Sequence, residues 1–154
     1  MLGSLTRLIA FLLLMTSAAF AAGPEFNLDR AGLALRGFDP VAYFTDGQPK
    51  PGKAEISAAH DGATYRFATA ANRDAFAAAP EKFLPQYGGY CAYASALGKK
   101  ADGDPAIWKI VDGKLYLNFN RSIDERWGAD IPGYISKADK AWPQIKSKSA
   151  AELN

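Results

Sequence analysis

The chain contains a single cysteine, Cys91, within YGGYCAYASALG, so no disulfide can form inside it. This constrains the fold sharply, because the first residues read as an export leader and small exported domains commonly lean on disulfides. Arg7 is followed by an apolar run from Leu8 to Met15. Small residues follow, including Ala19-Phe20-Ala21, an A-x-A cleavage signature. The run is shorter than the ~20 apolar residues of a membrane-spanning helix. The expectation is a signal peptide over residues 1–21, a mature start near Ala22, and no stable membrane insertion after cleavage. The protein would be exported, to the periplasm if the source is Gram-negative. The mature domain must then hold together by packing alone, for which 7 Tyr, 9 Phe and 3 Trp in the whole chain supply apolar area.

What remains after the leader is the usual size of one domain with one core. The 18 basic and 16 acidic residues are interspersed, with Lys99-Lys100 the longest basic run. Such a balance carries no electrostatic footprint for nucleic acid or for an anionic membrane.

Local signals order the elements. Residues 22–36 read as an entry segment with a short strand at Leu33-Ala34-Leu35. Asp39 can cap a helical turn with Pro40 in its first position, and Asp46-Gly47 stops it. Ala54–Ala59 and Thr64–Ala68 read as strands joined at His60-Asp61-Gly62. Thr69 caps a helix that ends at Pro80, and Pro80 opens a further turn that Pro85 ends. Gly88-Gly89 allow a sharp turn into a short helix that starts near Tyr90 and closes at Gly98. Residues 99–105 read as an exposed loop. Trp108–Val111 and Lys114–Phe119 form a hairpin about Asp112-Gly113, a favoured type I′ pair. Asn120 and Asp130 cap the last two helices, the second ending at Pro143. Residues 144–154 are a polar tail expected to fray. No internal repeat or second domain is evident. The order defines an α+β fold, a small single domain of short helices packed on β-hairpins.

Cys91 leads the candidates for chemistry. In the first turn of a helix the free N–H groups and the macrodipole favour a thiolate, which could hold a thiophilic ion. The alternatives are a core thiol that acts as a small apolar residue and a redox thiol, which would lack a resolving partner. Tyr87, Gly88, Gly89, Tyr90 and Tyr93 would line a pocket around it, the glycines letting backbone approach a ligand. His60, at a hairpin tip, reads as exposed and dispensable, with a ligand role as the alternative. One Cys and one His cannot close a four-ligand zinc site. No G-x-S-x-G, H-E-x-x-H, phosphate loop or dinucleotide fingerprint is present, so the expectation is a protein that is not an enzyme.

GFDPVAYF, GATYRFATAANRDAFAAAPEKFLPQYGGYCAYA, GDPAIWKIVDGKLYLNFN and DIPGYISKADKAWP together resemble the stand-alone exported YHS-domain proteins of bacteria. The resemblance spans residues 37–143 and implies a YHS-like domain there. It also implies metal handling, since YHS domains accompany transporters of copper and other heavy metals. The metal-associated branch carries cysteines where this chain has Ala42 and Ala68, which withdraws the usual soft ligands and leaves Cys91. The expected function is binding of a metal ion (copper or zinc) or a small ligand near Cys91. The alternative is a structural or protein-interaction module.

Overall fold

A computed structural model describes residues 24–154; the expected signal peptide lies outside the described residues. The helices are α1 (Ala42–Thr45), α2 (Ala70–Ala78), α3 (Ala92–Ala96), α4 (Arg121–Gly128), α5 (Ile131–Ile145) and α6 (Ala150–Leu153). The strands are β1 (Lys53–His60), β2 (Ala63–Phe67), β3 (Asp104–Val111) and β4 (Lys114–Asn118), forming two separate antiparallel hairpins. The fold is therefore α+β, short helices packed on two hairpins.

The caps read from the sequence form. Thr69 accepts a hydrogen bond from the Asn72 amide at 3.1 Å, Asn120 from Ile123 at 2.9 Å and Asp130 from Gly133 at 3.0 Å. Each occupies one of the donors that a helix start leaves free.

The structure corrects the expectation that the chain has no repeat. One unit occurs twice, displaced by 51 or 52 positions. Each copy opens with three left-handed residues: Leu35, Arg36 and Gly37 at φ 52°, 49° and 83°, and Tyr87, Gly88 and Gly89 at 55°, 61° and 83°. A capping residue and a short helix follow. A hairpin then pairs an eight-residue strand with a five-residue one across an Asp-Gly turn, Asp61-Gly62 or Asp112-Gly113. Even the irregularity matches, since pairing slips between Lys53 and Ser57 in β1 and between Asp104 and Trp108 in β3. A capped helix closes each copy, and Tyr65 stacks on Phe76 as Tyr116 stacks on Trp127, with centroids 4.9 and 5.6 Å apart.

The core follows the same plan. One cluster gathers Val41, Tyr65, Phe67, Phe76 and Phe83 in the first copy. A second gathers Tyr87, Ala92, Tyr116, Trp127 and Ala138 in the other. A third joins them through Leu35, Tyr43, Leu115 and Leu117. Tyr43 crosses the seam: its ring packs edge-on against Trp108, centroids 5.1 Å apart, and its hydroxyl donates to the Pro105 carbonyl at 2.8 Å.

Three further expectations are corrected. Helix α5 continues through Pro143 to Ile145, because the ring removes one donor on an exposed face while buried Ile145 anchors the last turn. The segment after Gly98 is not an exposed loop, since Lys100 is 1% exposed and Asp104 already belongs to β3. The tail does not fray. Lys100 Nζ donates to the carbonyls of Pro24, Lys146 and Lys148, and sits over the rings of Tyr90 and Trp142 at 4.8 and 5.2 Å. Ser149 and Glu152 then form a capping box that starts α6. One buried ammonium thus ties the entry segment and the tail to the domain.

Candidate functional site

Cys91 is the residue that caps α3, and it is 1% exposed. Its amide donates to the Ala101 carbonyl at 2.9 Å, as the Asp39 amide donates to Lys50 at 2.8 Å in the first copy. The sulfur therefore occupies the place of the Asp39 carboxylate. Asp39 Oδ1 accepts from the amides of Val41 and Ala42 at 2.8 and 3.3 Å, and Oδ2 from the Ala68 amide and Asn72 Nδ2 at 2.8 and 2.7 Å. The matching amides of Tyr93, Ala94 and Phe119 lie by the Cys91 sulfur, but that of Tyr93 donates to Asn118 Oδ1 at 3.1 Å, the oxygen that also accepts from the thiol at 3.5 Å.

Burial nonetheless pushes the Cys91 thiol above its ordinary range, outweighing the three amides that pull it down. The expected helix-start thiolate is thus corrected. Helix α3 has only five residues and its start is in the core, so desolvation outweighs the local dipoles. No cluster of three or more His, Cys, Asp and Glu able to hold a metal occurs among the described residues.

The expected pocket residues part company. Tyr87 and Gly88 line a cleft of about 450 Å³ that Cys91 does not border. Gly89 borders a smaller hollow of about 240 Å³ with Asp102 and Leu117. Tyr90 donates to the carbonyls of Pro24 and Phe26 and lies under Lys100, while Tyr93 packs on Tyr134 with centroids 5.1 Å apart. Cys91 lines none of these hollows, so the predicted ring of residues around the thiol does not form.

The larger cleft runs between the tip of the first hairpin and α5. Its wall includes Tyr65, Tyr87, Trp142, Lys114 and four carboxylates, those of Glu25, Asp61, Glu81 and Asp139. Tyr87 donates to Asp139 Oδ1 at 2.8 Å, and Glu25 meets Lys146 Nζ at 3.4 Å. Burial, with Asp139 beside it, pushes the Tyr87 phenol well up. His60 is not the exposed tip residue expected. Its ring packs edge-on against Phe76, centroids 5.9 Å apart, and only 21% of the side chain is exposed. Its Nε2 is buried, 3.3 Å from Asp61 Oδ2 and 3.6 Å from Glu81 Oε1, with hydrogen-bond geometry to neither. The sequence carried no sign of this cluster, since Glu81 and Asp139 join it from helical segments far along the chain.

Fold and cleft together define a small α+β domain, two copies of one hairpin-and-helix unit sharing a core, with an acidic aromatic cleft at the first hairpin tip. In comparisons with family models, curated proteins and solved structures, nothing matches the chain. No helix among the described residues is long and apolar enough to cross a membrane.

Proposed function

We propose that this is an exported, non-enzymatic domain of the YHS kind that binds a small ligand in the cleft beside the Tyr87-Gly88 turn. The observation that carries the reading is the cleft itself. At about 450 Å³ it falls within the ~300–1,000 Å³ of small-molecule sites, and it combines aromatic walls with a few convergent polar groups. Cys91 is a core residue outside its lining. Trp142 in the wall makes binding observable: a ligand from a panel of small metabolites should change tryptophan fluorescence in the wild type and in Cys91→Ala, but not in Trp142→Phe. A panel in which no compound changes fluorescence or melting temperature would overturn the reading.

The second reading, a structural or protein-interaction module, is favoured by the Cys91 environment, which supplies packing rather than reactivity. Alkylation of the native protein separates it from a thiol-centred site. The thiol should react only on unfolding; rapid modification of the folded protein, blocked by added copper or zinc, would restore the metal site at Cys91.

A further inference from the structure

We propose that the entry segment and the tail form one latched strap, which opens as a unit and takes a wall of the cleft with it while the rest of the domain stays folded. Such a device works whether or not a ligand occupies the cleft. The latch is Lys100, 1% exposed, whose ammonium donates to the carbonyls of Pro24 at 2.5 Å, Lys146 at 2.8 Å and Lys148 at 2.7 Å. Its own carbonyl accepts from Asn154 Nδ2 at 3.0 Å. The two ends also meet directly, through Glu25 and Lys146 Nζ at 3.4 Å.

Polar contacts, more than core, hold both ends. None of residues 146–154 is buried. In the entry segment the Asn27 amide donates to the Gly88 carbonyl at 2.9 Å, and the Tyr90 hydroxyl to the carbonyls of Pro24 and Phe26 at 3.0 and 3.2 Å. Phe26 and Leu28 touch the first core cluster, both only partly buried. Segments with few buried apolar contacts open at a lower free energy than the whole domain. Three charge-assisted bonds to one ammonium make that opening concerted. When either end departs, water reaches the ammonium, and the remaining carbonyls lose the dry surroundings in which their bonds are strong.

The strap also builds the cleft. Glu25 and Phe26 supply part of its lining, and a further hollow of about 370 Å³ shares them, lined by Pro24, Glu25, Phe26 and Asp61 with Ser147 of the tail. Gly88 permits the close seat of the entry segment, since a Cβ there would strike the Glu25 carbonyl. Departure of the strap therefore removes a wall from both hollows. The repeated unit shows that the latch is not demanded by the fold. Pro49 stands in the first copy where Lys100 stands in the second, and Phe38, which has no hydroxyl, stands where Tyr90 does. The first copy builds the same unit with neither the ammonium nor the phenol.

Amide hydrogen exchange of the whole protein, read by NMR, tests the strap. In the wild type the Asn27 and Lys148 amides, bonded to the carbonyls of Gly88 and Ile145, should share one degree of protection, below that of β4. Lys100→Met keeps the reach of the side chain and removes its charge. It should speed exchange at both ends about tenfold or more and leave β4 unchanged. Tyr90→Phe deletes only the hydroxyl on Pro24 and Phe26, at the entry end, yet should speed the tail as well. A response of Tyr90→Phe confined to the entry segment would overturn the latch, as would two ends unmoved by Lys100→Met. Faster exchange of β4 together with the ends would mean global opening and overturn it too. Should Lys100→Met fail to fold, Tyr90→Phe and the wild-type protection decide alone.

Discussion

In the first copy of the repeated unit a buried carboxylate, Asp39, collects three backbone amides and the side chain of Asn72. At the matched place in the second copy the Cys91 sulfur lies by three amides, and Ile123 stands where Asn72 would be. The backbone is the same; the acceptor is not. A strand end and a helix start that converge must have their N–H groups satisfied; Asp39 does this with both carboxylate oxygens, whereas in the second copy Asn118 Oδ1 takes the Tyr93 amide and the Cys91 thiol. The hairpin tips differ as well, since His60 and Glu81 in the first copy are matched by Val111 and Pro132 in the second. Matched positions that differ without a structural need separate what builds the unit from what decorates it.

Variants at matched positions test that separation, and backbone contacts should give the largest effect. Gly52 and Gly103 precede β1 and β3, and a Cβ on either would strike backbone, the Arg66 carbonyl in one case and the Gly89 carbonyl in the other. Gly52→Ala and Gly103→Ala should each cost about 4 kcal/mol or more, among the large values for single substitutions. Chemical denaturation checks this. One severe and one silent variant would show that the two copies are not equivalent at their bulges.

The acceptor slot should come next. Asp39→Ala strands three amides and the Asn72 side chain, and should cost about 3 kcal/mol, since each buried unsatisfied group costs roughly 1–3 kcal/mol. Cys91→Ala removes a weaker acceptor and a small packed atom, for about 1–2 kcal/mol. Equal losses would mean that the sulfur serves its amides as fully as the carboxylate does.

His60→Ala should lose about 1 kcal/mol through its contact with Phe76, a typical cost for a partly buried side chain. An unchanged melting temperature would return His60 to the status of a dispensable tip residue.

The smallest effect is in pH dependence. A thiol whose folded pKa is raised contributes stability below its unfolded pKa and loses it as pH climbs toward the folded value. Wild type should therefore lose stability above pH ~9 more steeply than Cys91→Ala. Buried Tyr43, Tyr65 and Tyr87, all pushed up by burial, act in the same sense at higher pH but cancel in the difference. Parallel pH profiles for the two proteins would show that Cys91 does not titrate differently on folding.

Much of the fold was legible because its signals are local. Both Asp-Gly turns and the caps at Thr69, Asn120 and Asp130 depend on residues a few positions apart, and all formed. The repeat was not legible. Its matched positions share few residues, among them Gly52 with Gly103, Asp61-Gly62 with Asp112-Gly113 and Tyr65 with Tyr116. What recurs is backbone conformation and burial, which different side chains can satisfy. Of the expected pocket, Tyr87 and Gly88 reached the cleft, but Asp61, Glu81 and Asp139 were invisible as partners because only folding brings them together.

The sequence by itself determined where the chain turns and which residues start its helices, since a positive φ or a capped amide is settled within a few residues. Tertiary structure alone decided how deep each group lies. Cys91 became a core thiol, Lys100 a buried clasp on both ends of the domain, and His60 a half-buried imidazole beside carboxylates. Desolvation depends on every segment packed around a group, and no stretch of neighbouring residues carries that information.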